Sequence, residues 1–282
     1  MRGLHDGVLW FHIAFGLVAL FAFWVPALTR KGGPVHRRVG WVYVAAMLGV
    51  VVTAVALATL LFLDPEAVRD FSGARPEDVA DGVVRLRAVA LFFGALAILT
   101  FTGGWHGLRV LRAKRSPRQM RTSFNIALHL LNILIAPPLV VLGFRDGEPL
   151  FVMFAILCLV SGTSDLWRLW RPSQDPRYWL YEHLSSMIGT GIAAHTAFLA
   201  IGAVRLFPRL YSLSPALYVI PWIAPTVIGF IAITLLQRHY RKTSKTKGPS
   251  ASDLSEHFAD ESPGLPEQGR AISLKSLANP VE

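Results

Sequence analysis

Read from its N-terminus, the chain lays down apolar residues in runs too long for strands and without the polar face of a soluble amphipathic helix. Seven runs stand out, roughly Val8 to Leu28, Val39 to Leu63, Ala88 to Leu108, Ser123 to Phe144, Leu150 to Leu169, His183 to Val204 and Ala216 to Leu236. Each reaches the roughly 20 residues that a helix needs to cross about 30 Å of hydrocarbon. The pattern predicts an all-α fold, a polytopic membrane bundle of about seven transmembrane helices over residues 1–240. The first run is longer than a signal-peptide core and ends in Thr29-Arg30-Lys31 without a small-residue cleavage site, so it reads as a retained helix.

The polar stretches carry their own signals. Asp64-Pro65-Glu66 reads as a helix start, which predicts a short surface helix to about Phe71. Arg75-Pro76-Glu77-Asp78 repeats the signal, so the third helix is expected to begin there, about two turns before its apolar run. Residues 241–282 are rich in Ser, Gly, Pro, Lys and Glu, with too few large apolar residues for a core, and read as a disordered cytoplasmic tail.

Composition agrees with the pattern. With 53% hydrophobic residues, 16% charged and a mean hydropathy of +0.45, the chain is too apolar to keep a soluble domain solvated. Its net charge of +10 raises the possibility of nucleic acid, but Lys and Arg lie in short loops and form no continuous basic face. The expected partner is a lipid bilayer, with no nucleic acid.

The basic residues fall on alternate loops. Arg30, Lys31, Arg37 and Arg38, then the cluster from Arg109 to Arg121, then Arg168, Arg171 and Arg177, then the residues after Arg238 make up one set. The opposite loops carry fewer cations, and the longest holds Asp64, Glu66, Asp70, Glu77, Asp78 and Asp81. The positive-inside rule then predicts the N-terminus outside and the C-terminus in the cytoplasm. Trp10, Trp24, Trp41, Trp105 and Trp167 near the span ends support these boundaries, whereas Trp222 sits deeper. The single cysteine, Cys158, rules out an intramolecular disulfide and any CxxC motif. Walker, GxGxxG, HExxH and GxSxG motifs are absent, and no internal repeat is evident.

Ionisable residues inside a bilayer are costly, so each calls for a partner or a task. His12 in the first span and His195 in the sixth are expected in a similar outer layer, facing each other, with Gly16, Gly191 and Gly202 leaving grooves beside them. Toward the inner face, His36, His106, His129 and His183 are expected to converge. Asn125, His129 and Asn132 share one helical stripe and Ser161, Asp165 and Arg168 another, both predicted to face the bundle interior. Asp165 and Glu182 are candidate proton-handling groups able to orient an imidazole. Ordinary helix packing, interfacial snorkelling and surface ion pairing compete with each of these assignments. Pro137-Pro138 in the fourth span, and Pro221 with Pro225 in the seventh, predict helix distortions of the kind that border cavities.

The segment Lys31-Gly32-Gly33-Pro34-Val35-His36-Arg37-Arg38-Val39-Gly40-Trp41-Val42-Tyr43 resembles a family of bacterial multipass membrane proteins known as domain of unknown function 2306. The resemblance continues through Glu182-His183-Leu184-Ser185-Ser186-Met187-Ile188-Gly189 and Ala193 to Phe198, with His12 and Gly16 matching the opening pattern. It spans about His12 to Tyr240 and implies a membrane bundle in the bacterial cytoplasmic (inner) membrane, without supplying a reaction. The matching residues are His12, Lys31, His36, Arg37, Gly40, Tyr43, His183 and Met187, while His106 and His195 stand where the family pattern holds other residues.

Three functions are expected from these residues. The first is a b-type haem or quinone-linked redox protein, with His12, His36, His129 and His183 as first candidates for cofactor binding and haem-iron ligation, and His106 and His195 as second. Lys31, Arg37 and Arg38 would then contact an anionic group such as a haem propionate or a lipid phosphate, unless they serve only as a topology signal. The second is a small-molecule or proton-coupled transporter using His129, Asp165 and His183, and the third a non-catalytic membrane scaffold or assembly partner.

Overall fold

Proline sets where the helices begin. Pro34, Pro76 and Pro149 each occupy the first helical turn, where a missing N–H costs no intrahelical bond. The computed structural model describes residues 2–69, 71–114, 116–171 and 175–246, and among them there is no strand. The helices are α1 (Arg2–Leu28), α2 (Pro34–Leu63), α3 (Pro65–Val68), α4 (Pro76–Ala113), α5 (Ser123–Asp146), α6 (Pro149–Trp170), α7 (Tyr178–Ala197), α8 (Ala203–Leu206), α9 (Pro208–Tyr211) and α10 (Ala216–Thr246). A 3-10 turn, Pro117–Met120, leads into α5, and a π-helical stretch, Phe198–Gly202, carries α7 into α8.

Among the described residues, seven helical segments are long and apolar enough to cross a membrane: α1, α2, α4, α5, α6, the continuous Tyr178–Leu206, and α10 as far as Arg241. This is the architecture of a multi-pass membrane bundle. The helices outrun the apolar runs, α2 starting at Pro34 rather than Val39 and α7 at Tyr178 rather than His183. Hydropathy marks only the length matched to hydrocarbon, whereas the helix continues until its backbone donors or acceptors are capped. The short helix after Asp64 and the start of α4 at Pro76 stand where the sequence predicts them. Met1–Ile233 forms one compact unit and Thr234–Glu282 a second, of which residues 234–246 continue as helix. The tail expected over 241–282 lies beyond Thr246 outside the described residues.

Within the first unit, α1 packs on α2 and α5 on α6 as antiparallel pairs, and α4 touches α2, α5 and α7. The α5–α6 connection is tight because Gly147 takes a left-handed conformation (φ +67°) and donates its N–H to the Gly143 carbonyl, a helix end that favours glycine. Pro137 and Pro138 lie within the single helix α5, and Pro221 and Pro225 within α10.

Three apolar clusters hold the unit together. Ala88, Phe92, Ala95, Ala136, Leu139, Phe151, Ala155 and Cys158 join α4, α5 and α6. Ala19, Ala22, Tyr43, Ala46 and Met47 join α1 to α2, and Val110, Ala113, Met120 and Leu169 close the other end of α4. The preponderance of alanine fits a bundle in lipid, where close backbone approach replaces the hydrophobic drive. Trp222, deep in α10, sets its ring edge-on to Phe154 with centroids 6.1 Å apart, which accounts for an indole away from the span ends.

The π-helical stretch has a partner of its own. The Tyr211 hydroxyl, just past α8, donates 2.6 Å to the Leu199 carbonyl inside the widened turn. A backbone acceptor left by the change in helix pitch is thereby satisfied.

Candidate functional site

The stripe Asn125, His129 and Asn132 turns inward as its spacing predicts, and each of the three side chains is fully enclosed. Two features of α5 bring this about. Thr122 caps the helix by accepting from the Asn125 N–H, and the Asn125 amide donates 3.0 Å to the Met120 carbonyl of the preceding turn. Opposite them α6 comes very close at Gly162, where a Cβ would lie 2.7 Å from the His129 carbonyl oxygen. One turn further along α6, Asp165 meets His129, with 3.4 Å between Asp165 Oδ2 and His129 Nδ1.

The rest of the cluster arrives from α4 and α7. His106 brings its ring to 5.7 Å from that of His129, edge to face. Its Nε2 lies 3.3 Å from Glu182 Oε2, the carboxylate of α7. Arg168 joins the two acids, hydrogen-bonding Asp165 Oδ1 through Nη2 and approaching Glu182 Oε2 to 3.5 Å through Nε. His106, His129 and Asp165 are each at least nine-tenths buried. Even so, His106 Nδ1 and both ring nitrogens of His129 make no hydrogen bond, and neither does either amide atom of Asn132. Buried polar atoms left unpaired are costly and call for an explanation.

The remaining inner histidines form a second group. His183 Nδ1 lies 2.8 Å from the Gly107 carbonyl, next in sequence to His106, and His36 Nδ1 lies 3.1 Å from the Pro26 carbonyl. A carbonyl only accepts, so both Nδ1 atoms carry the proton and both Nε2 atoms keep a lone pair. Of the four inner histidines, His106 and His129 face each other, while His36 and His183 are each tethered to a main-chain carbonyl. Gly107 permits the approach of α7, since a Cβ there would collide with Ser186 and Met187.

Lys31 folds back onto α1 and donates to the carbonyls of Pro26 and Ala27, at 2.7 and 2.6 Å. It caps the end of that helix, and burial holds its ammonium below the ordinary lysine range. Arg37 and Arg38 are exposed. Tyr43 donates 2.8 Å to Thr190, whose hydroxyl in turn donates to the Met187 carbonyl, a buried link between α2 and α7.

The outer pair does not form. His195 donates through Nδ1 to the Gly191 carbonyl and accepts the Trp24 indole N–H at Nε2, so both nitrogens are occupied. His12 instead bonds Thr53 on α2 at 2.9 Å. Trp24 comes twelve residues after His12 on α1, about 18 Å along the axis, which separates the two histidines by more than half a bilayer core. The groove expected beside Gly191 is filled by the Phe23 ring.

Sequence reasoning missed Thr190, the Trp24 partner of His195 and the reach of Glu182 to His106. A usable signal for the α4–α7 contact was the small-residue stripe of Gly103 and Gly107, four apart on α4 and facing Thr190 and Met187. No known protein-family model, curated protein or solved structure matches this chain.

Proposed function

We propose that the chain is a membrane redox protein of the bacterial cytoplasmic membrane, N-terminus outside, that binds a b-type haem through His36 and His183. The membership suggested by the Lys31 to Tyr43 segment is part of the same proposal. The observation that carries the reading is the tautomer that the two rings share. Each imidazole comes from a different helix, spends Nδ1–H on a main-chain carbonyl and keeps Nε2 as a donor to iron.

His36 is positioned by the turn that wraps the end of α1, where Lys31 and His36 share the Pro26 carbonyl. His183 is positioned by the close approach of α7 to Gly107. Arg37 and Arg38 supply exposed cations next to His36 for the acidic edge of a bound group. When bound, the haem would supply one-electron transfer, with His36 and His183 as the residues that hold it. His129, by contrast, is enclosed where α5 and α6 touch, and the Gly162 contact leaves no slot there for a flat macrocycle.

The test is a pair of absorption spectra, oxidised and dithionite-reduced, from the detergent-purified full chain expressed with a haem precursor. A Soret band with sharpened reduced bands is expected, lost in His36→Ala and in His183→Ala and retained in His195→Ala. A featureless spectrum from folded protein, or a band indifferent to both substitutions, overturns the reading. The featureless case would leave a quinone, tested by binding to the same two variants, or a transport role.

A further inference from the structure

We infer that His106, His129 and Asp165 form a binding site for one divalent transition-metal ion, separate from the His36 and His183 pair. The three side chains project from α4, α5 and α6, and their candidate ligand atoms all lie within 4.8 Å of one another. They are 4%, 0% and 6% exposed, so water does not screen the arrangement.

Each atom that the neighbours leave over points to the same task. Glu182 occupies His106 Nε2, which leaves Nδ1 as the unpaired nitrogen. Arg168 occupies Asp165 Oδ1, which leaves Oδ2 on the side of His129. His129 has neither nitrogen hydrogen-bonded. A carboxylate behind one imidazole and a guanidinium behind the carboxylate ligand are the outer contacts that fix ligand orientation in metal sites. A single bound proton would satisfy only one of the three idle nitrogens, whereas one ion engages a nitrogen from each ring together with the carboxylate oxygen.

Charge points the same way. With neutral imidazoles, Asp165 and Glu182 share one cation, Arg168, so the cluster holds an uncompensated negative charge within the bundle. Two imidazoles and one carboxylate suit borderline ions such as zinc, ferrous iron or cobaltous ion rather than magnesium or calcium. Three protein ligands leave a position open. Asn132, one turn from His129, is likewise buried with its amide unpaired among the described residues.

The experiment uses the full chain in detergent, stripped with chelator and titrated with Co2+ while its visible absorption is tracked, with Zn2+ as competitor. Elemental analysis after gel filtration gives the stoichiometry. About one ion per chain is expected, with Co2+ bands displaced by Zn2+, and Asp165→Asn should abolish the bands. Glu182→Gln, which removes only the orienting carboxylate, should weaken affinity by about 10- to 100-fold. Zn2+ should raise the unfolding temperature of the wild type and not of Asp165→Asn. His36→Ala, which abolishes binding at the proposed haem site, should leave Co2+ binding intact, so the two ideas fail separately. Absence of Co2+ bands in folded wild-type protein, or affinity unchanged in Glu182→Gln, overturns the assignment. If Asp165→Asn does not fold, the Glu182→Gln titration decides.

Discussion

Arg168→Ala is expected to destabilise the protein strongly, more than Asp165→Ala. Arg168 is the cation shared by Asp165 and Glu182, and without it two carboxylates are left together on the inner faces of α6 and α7. Removing one side of a buried ion pair costs about 3 to 5 kcal/mol, because the other side stays buried and uncompensated. The Arg168 side chain is 47% exposed, which lowers the expectation to on the order of 3 kcal/mol. Asp165→Ala should cost less, since Arg168 then keeps Glu182 and its access to water. Thermal unfolding of the two variants in one detergent tests the order. Equal losses, or a milder Arg168→Ala, would mean that the carboxylates find other partners or take up protons.

Gly162→Ala is expected to come next. Its Cβ would lie 2.7 Å from both the His129 carbonyl oxygen and Ile133 Cγ1 and 3.3 Å from Asn132 Cβ. A side chain can swing aside, but a carbonyl in the middle of α5 cannot move without the helix, so α5 and α6 must separate. Overpacking of this kind costs about 1 to 3 kcal/mol. The displaced His129 should also carry Co2+ affinity down with stability. Gly189→Ala is the control, since nothing lies within 4 Å of its Cβ position. There the change should be neutral or stabilise slightly by reducing the freedom of the unfolded chain. A Gly162→Ala protein that melts with the wild type would show that α5 and α6 have room to accept a methyl group between them.

These expectations depend on features that the sequence discloses unevenly. The spans are legible because lipid imposes a length, and the inward face of α5 because Asn125, His129 and Asn132 recur at helical spacing; of the α6 stripe Ser161, Asp165 and Arg168, only Asp165 is buried, because Arg168 extends its long side chain toward the exterior. The contacts that join those faces are not written locally. His106 meets His129 through the register of α4 against α5, and register depends on how far each helix continues past its apolar run. The same effect misplaces His195, which hydrogen-bonds Trp24 near the end of α1 and does not lie level with His12. Lys31 illustrates a different loss. Its charge is plain in the sequence, but the two carbonyls it caps belong to a helix end that only the folded turn brings within reach.

The widened turn at Phe198–Gly202 bears on how this chain tolerates change in length. A π-turn amounts to one residue inserted into an α-helix, with the surplus held as a bulge instead of being pushed into the next loop. Deleting one residue there would restore ordinary pitch and leave the helix beyond it close to its present facing relative to α7. Tyr211 would lose its carbonyl, while Trp24 and His195, lying before the bulge, would keep their hydrogen bond. The bulge is thus a natural seam at which this span can gain or lose a residue without disturbing the contacts that precede it.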